Sequence, residues 1–277
     1  MSHTTFDLAS RDGVHYTQLW TPANEPRAIV CLVHGFGEHT GRYAHVAAHL
    51  NRARYALLGF DLRGHGKSHG RRGHTPSFDH LMDDITLLLS ESEKRFPGKP
   101  LFLYGHSMGG NLVLNYGLRR KPRLAGVIAT SPWLKLVTAP PGLLVGLGRV
   151  MNRVMPTYSQ ASNLDARGLS RDAGVVSAYQ NDPLVHGKIS ARLSINMIDG
   201  GVWAIEHAGE FSLPLLIEHG TADPIVSFDA SREFASRARG DVTFKAWEGL
   251  YHETHNEPEK VQVLDFMLGW LDKHTPA

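Results

Sequence analysis

The 277-residue chain has one cysteine, Cys31. No disulfide can form within it, and Cys31, set in the apolar run AIVCLV, reads as a buried structural thiol. Surplus charge is equally scarce. Twenty-nine lysines and arginines oppose 27 aspartates and glutamates, a net charge of +2 with neutral histidines. That balance leaves no electrostatic footprint for nucleic acid. The one locally basic stretch, RGHGKSHGRRGH (63–74), has no interleaved aromatics and reads as a solvated loop. Long apolar runs are missing too. The uncharged stretch from Leu136 to Gly148 is too short to span a bilayer and carries two prolines. The opening MSHTTFDLASRDG has no basic-then-apolar signal, so the expectation is a soluble cytoplasmic protein.

Histidine, by contrast, is plentiful, with 17 copies. HVAAH (His45, His49) has the spacing of a zinc pair but lacks the glutamate a zinc protease uses as its base. HETH (His252, His255) has the glutamate, one residue too close. Neither argues for a metal, and nothing else calls for a cofactor.

The length fits one large domain, or one domain with an insertion. TTFDLAS and VHYTQLW flank an Arg-Asp-Gly turn and predict a hairpin. AIVCLVHG, YALLGFD, LFLYGHS and LAGVIATSP are apolar runs alternating with helical patterns. LPLLIEHG and VTFKAWEG resume that alternation before a final helical stretch. Alternation of this kind predicts an α/β fold with a mainly parallel sheet wrapped by helices. Residues 132–212 break the rhythm, with helix-like pieces and no convincing strand. They predict an inserted helical cap on a core made of 1–131 and 213–277.

Polar clusters follow the strand-like runs, so all should gather at one edge of the sheet. GHSMGG (105–110) lies between an apolar run and a helical pattern, the context of a nucleophile elbow with Ser107 at its tip. A serine hydroxyl needs a base, and histidine titrates near neutral pH. The base in turn needs an acceptor for its second ring nitrogen. Asp223 in GTADPIV and His252 in GLYHETHNEP supply these in the order Ser, Asp, His. Considered singly, Asp223 also reads as a helix cap and His252 as a solvated loop residue. His255 competes with His252, and Asp199 and Asp229 with Asp223. Acyl transfer places negative charge on oxygen, for which Met108 and Phe36 offer backbone N–H groups.

At these residues the chain resembles the monoacylglycerol lipase and lysophospholipase branch of the α/β-hydrolases. The resemblance rests on HGFGEHTGRY, DLRGHGKS, GHSMGG, LSRD with YQNDPLV, HGTADPIV and LYHETHNEP, and runs from about residue 28 to 271. It implies the α/β-hydrolase fold and a serine hydrolase cleaving single-chain glycerol esters under a mobile helical cap. It also implies a headgroup pocket at Glu38, Arg42, Tyr179 and His255. Read from the residues alone, Glu38 and Arg42 pair with each other and Tyr179 anchors the cap. The chain departs at Phe36, where some relatives carry a smaller residue, which bears on the width of the acyl entrance.

The cap opens with PPGLLVGLGRVMNRVM, in which Leu143, Leu147, Val150, Met151 and Val154 share a helical face opposite Arg149 and Arg153. That face is expected to wall an acyl chain and to touch membranes or micelles transiently, although packing on the core is the plainer reading. The expected partner is thus a small lipid ester. Rival readings are a lysophospholipase or general carboxylesterase, and a non-catalytic protein on a hydrolase scaffold. The sequence sets no oligomeric state.

Overall fold

The computed structural model describes residues 1–276. Strands β1 (Ser2–Ser10) and β2 (Gly13–Thr21) form the predicted hairpin. Then come β3 (Ala28–Val33), α1 (Ala44–Arg52), β4 (Tyr55–Phe60), α2 (Phe78–Arg95), β5 (Leu101–His106), α3 (Met108–Arg120) and β6 (Gly126–Thr130). Every residue of β3, β4 and β6 is buried, which is why these strands read as unbroken apolar runs. Ser77 caps α2 by accepting from His80 N–H, and Leu81, Met82, Ile85, Leu88 and Leu89 form its buried stripe.

Between β6 and the next core strand lie α4 (Gly142–Val154), β7 (Ser159–Ala161), α5 (Ala173–Asn181), β8 (Lys188–Ser190) and α6 (Ala191–Glu206). The chain then closes with β9 (Leu215–Gly220), α7 (Phe228–Arg237), β10 (Val242–Trp247) and α8 (Lys260–His274). The main sheet has eight strands in the order β1-β2-β4-β3-β5-β6-β9-β10. Only β2 runs against the other strands, so the loops after β3, β4, β5, β9 and β10 share one edge. One apolar layer joins the sheet to α2, α3 and α7, and the other joins it to α1 and α8.

The inserted segment differs from the sequence reading in two ways. It contains strand, since β7 and β8 pair antiparallel across three residues each. A ladder that short carries no readable alternation. Its last helix, α6, also belongs to the packed layer. Asn111 and Asn115 of α3 donate to the Met197 and Gly200 carbonyls, and a side chain at Gly201 would meet the Leu134 carbonyl at 2.1 Å.

The basic stretch 63–74 is solvated only in part: Lys67 and Arg71 are exposed, but Arg63 is not. Arg63 is buried, donating to Asp84 at 2.6 Å and to Asp12 at 2.9 Å. Beside it, the Asp61 carboxylate takes N–H bonds from Thr40 and Lys67. Arg63 and Asp61 thus hold the loop beneath the sheet edge.

One core carboxyl is nearly orphaned. Glu218 of β9 is fully buried, and Oε1 accepts from the Trp247 indole at 3.0 Å. Its Oε2 has no partner among the described residues. Burial pushes its pKa from the ordinary 4.5 up to about 8. A raised folded pKa means the contribution to stability is complete below 4.5 and is lost as pH climbs through 8. Urea unfolding should therefore show stability falling by roughly 3–5 kcal/mol between pH 4 and pH 9 on account of this group. Glu218→Gln should remove that component; a variant with an unchanged pH slope would show that Glu218 is ionised throughout.

Candidate active site

Ser107 sits where β5 turns into α3, with φ 52° and ψ −113°. That backbone geometry is strained for a residue with a Cβ. The strain aims the side chain away from both elements. It also demands close approach, because a side chain at Gly109 would lie 1.9 Å from the Val33 carbonyl. Ser107 N–H donates to Thr130 O, and its own carbonyl accepts from Asn111 and Trp133 N–H.

The loop after β3 runs beside this turn. His34 Nε2 accepts from Leu62 N–H at 2.8 Å, so its proton is on Nδ1, which donates to Gly35 O at 2.7 Å. With the Gly35 carbonyl held there, the trans peptide turns the Phe36 N–H the opposite way, away from His34. The Phe36 N–H meets no acceptor among the described residues. Met108 is the first residue of α3, so its N–H has no helical carbonyl behind it.

Asp223 and His252 come together from the loops after β9 and β10. His252 Nδ1 lies 2.7 Å from Asp223 Oδ2, with both side chains buried. Asp223 Oδ1 accepts from Ile225 and Val226 N–H, so the carboxylate closes a turn with one oxygen and holds a histidine with the other. Burial opposes charge on His252, but Asp223, with Glu253 and Glu38 beyond it, outweighs burial and raises its pKa above 6.5. Asp223 itself is held well below the carboxylate range: burial pushes upward, but the His252 charge and the His219 hydrogen bond prevail. The alternatives fall away. Asp199 pairs with Arg149 and Asp229 with Arg232, both at the surface.

Ser107, His252 and Phe36 line one cavity of about 900 Å³. Trp133, Leu136, Leu164, Ile189, Ile198 and Val226 give it an apolar wall. None of the lining residues belongs to α4, so the expected acyl wall is not that helix. The apolar face of α4 turns outward instead, with Leu143 85% and Val154 71% exposed.

The polar end of the cavity departs from the expected headgroup set. Glu38 and Tyr179 line it. Arg42 does not: it lies behind, donating to Glu38 Oε2 at 2.6 Å and forking onto both oxygens of Glu253 at 2.7 Å. Its guanidinium also stacks 4.9 Å from the Tyr179 ring centre. Carboxylates on two sides take three of its five donors. His255 is fully buried, stacked on Tyr43, with both ring nitrogens unpartnered among the described residues. It does not line the cavity, and burial drives its pKa well down, so it is placed neither as a base nor as a headgroup ligand. Glu253 was missed as a lining residue. Its only sequence signal was adjacency to His252. Among the described residues no cluster is arranged to hold a metal ion.

A serine on a strand-to-helix elbow, with a buried Asp–His pair after the later strands, defines a serine hydrolase of the α/β-hydrolase fold. The chain belongs to the serine aminopeptidase S33 family, which it matches over residues 24–259. It is 36% identical to a monoacylglycerol lipase of Mycolicibacterium smegmatis over 258 residues, 92% of either chain. It is also 39% identical to an uncharacterized abhydrolase domain-containing protein of Dictyostelium discoideum over 255 residues. That is 91% of this chain but only 27% of that protein. The crystal structure of the Paleococcus ferrophilus monoacylglycerol lipase superposes with a TM-score of 0.87 at 35% identity, covering 94% of this chain and 99% of that one.

Reading His252 as the base predicts an acid limb of kcat/KM above pH 6.5, since its pKa is raised and the base must be neutral. Asp223→Asn should cut kcat by about 10⁴ and move the residual acid limb to lower pH, because the charge favouring the imidazolium is gone. Rates on a p-nitrophenyl ester from pH 5 to 9 test this. A limb unmoved in Asp223→Asn would mean that another group titrates.

Proposed function

We propose that the protein hydrolyses monoacylglycerols to glycerol and fatty acid through an acyl-enzyme on Ser107. The observation carrying this reading is the cavity itself, in which Ser107 and His252 share one lining with apolar side chains and with the hydrogen-bonding groups Glu38, Tyr179 and Glu253. Similarity to monoacylglycerol lipases along nearly the whole chain supports it.

In this reading His252 takes the Ser107 proton as the hydroxyl attacks the ester carbonyl. Among the described residues the Ser107 hydroxyl makes no hydrogen bond, so the bond to His252 forms with substrate in place. The oxyanion of the tetrahedral intermediate is met by the Phe36 and Met108 N–H groups. Collapse expels the glycerol alkoxide, which takes the proton from His252. Water, activated by the same imidazole, then attacks the acyl-enzyme and frees the fatty acid.

The charge at the polar end favours glycerol over a phosphorylated headgroup. Two carboxylates, Glu38 and Glu253, share one guanidinium, leaving one negative charge in surplus. Glu38 Oε2 and Glu253 Oε1 each receive one protein donor, from Arg42, and keep capacity for a substrate hydroxyl. A phosphate brings only acceptors and negative charge to that place. Lysophospholipase activity is therefore the weaker reading.

We also assign residues 132–190 as the cover over the site, with α4 meeting the lipid surface. The rim residues Thr138 and Pro140 line the cavity just before this helix. No helix of the described residues is long and apolar enough to cross a membrane. Contact through α4 is peripheral.

Ser107→Ala should fold normally and lose turnover on the order of 10⁶-fold. A fluorophosphonate should label the wild type at Ser107 alone. Activity retained in the variant, or label elsewhere, would sink the mechanism. On matched acyl chains the protein should cleave monoacylglycerols well, diacylglycerols weakly and triacylglycerols little. Arg42→Ala should harm glycerol esters and p-nitrophenyl esters alike, because it frees two buried carboxylates. Selective loss on glycerol esters would return Arg42 to the headgroup.

Leu143→Ser with Leu147→Ser should weaken sedimentation with phosphatidylcholine vesicles. Hydrolysis of a monomeric short-chain ester should be unaffected. Unchanged sedimentation would remove α4 from the surface.

A further inference from the structure

Asp223 serves two histidines. His219, at the end of β9, places Nε2 3.1 Å from Asp223 Oδ2, the oxygen that also holds His252 Nδ1 at 2.7 Å. Both His219 and the Asp223 side chain are shut off from solvent. The other ring nitrogen of His219 lies 2.8 Å from Ser231 Oγ on α7, and Phe228 of the same helix packs edge-on against the ring. The imidazole is thus fixed from two elements.

An ionised carboxylate only accepts, so the His219 Nε2 must carry the proton. Asp223 then receives four donors: Ile225 N–H and Val226 N–H on Oδ1, His219 and His252 on Oδ2. Three are stationary, coming from the turn and from the end of a core strand. The fourth is the imidazole that exchanges protons in the reaction. The groups facing this unit are Asp223, Glu253, Glu38 and His106 around His252, and the two histidines around Asp223.

We propose that His219 is a positioning residue for the hydrolytic reaction, locking the Asp223 carboxylate in the plane of His252 and drawing off part of the charge Oδ2 presents to it. The proposal rests on the Ser107–His252–Asp223 reading above. His219 touches no reacting atom. It acts in two ways. Asp223 cannot rotate about its side-chain bonds while Oδ2 is held from behind, so the His252 ring keeps one orientation. A carboxylate oxygen already accepting a hydrogen bond also stabilises the imidazolium less than a bare one.

Two substitutions separate these effects from simple packing. His219→Leu removes the donor, and His219→Gln returns an N–H near the place of Nε2. With a short-chain p-nitrophenyl ester, His219→Leu should lose about tenfold or more in kcat/KM, the scale of one hydrogen bond to a charged group. Its acid limb should move to higher pH, since the undiluted carboxylate holds the His252 proton more tightly. His219→Gln should stay within about threefold of wild type, a small change in transition-state stabilisation, with its limb in place. A leucine variant with the wild-type limb, or a glutamine variant as damaged as the leucine one, overturns the proposal. Should His219→Leu fail to fold, ¹⁵N spectra of the wild type decide. A proton on His219 Nε2 supports the assignment, and one on Nδ1 alone refutes it. Fluorophosphonate labelling of wild-type Ser107 reports separately on the nucleophile, so failure there is not confused with failure here.

Discussion

The turn at Ser107 is the constraint from which the rest of the site follows. At φ 52° the residue pays about 1–3 kcal/mol for holding its hydroxyl clear of the backbone. The surroundings offset this with backbone hydrogen bonds from both sides of Ser107, to Thr130 and from Asn111 and Trp133. The bond from Trp133 matters most for architecture. It ties the first residues of the inserted segment to the elbow itself. The Asn111 side chain extends the tie, donating to the Trp133 carbonyl and to Met197 in α6. The inserted segment is therefore anchored to the Ser107 turn near its start and again at α6.

A second organising theme is buried charge held in small closed groups. Arg63 answers Asp84 and Asp12, Arg42 answers Glu38 and Glu253, and Asp223 answers two histidines. Each group is expensive to desolvate, and each is satisfied by hydrogen bonds as well as by opposite charge. They lie at the ends of strands, where loops of different origin must be fixed relative to one another. Glu38 shows the economy of this. Its Oε1 takes Gly35 N–H and the Tyr43 hydroxyl while Oε2 takes Arg42, so one carboxylate ties the loop after β3 to the Arg42–Glu253 pair at the polar end of the cavity.

Much of the core was legible in the sequence because parallel strands leave continuous apolar runs and their helices leave periodic ones. The elbow was legible for a different reason: only small residues tolerate its backbone contacts, so glycine marks it. The errors cluster where partners come from far along the chain. Arg63 looked solvated because Asp84 is 21 residues away; the Glu38–Arg42 pair was legible at its spacing of four, but Glu253, 211 residues from Arg42, was not. His255 ranked behind His252 as the base for its nearness to the next helix, but nothing local shows that its ring stacks behind Tyr43 while His252 meets Asp223. The α4 face was read correctly as amphipathic and wrongly as an acyl wall. Amphipathicity says that a face is apolar, not what it faces.

The sequence by itself determined the fold class, the turn that carries Ser107 and the strand ends that Asp223 and His252 follow, because each depends on local backbone demands and on strand ends reaching one edge. It left undecided which charges are spent on one another and which face a ligand. That was decided by the tertiary structure, which brings loops from β3, β9 and β10 within hydrogen-bonding distance. Electrostatic pairing is set by distance in space at low dielectric, and separation along the chain carries almost no information about it.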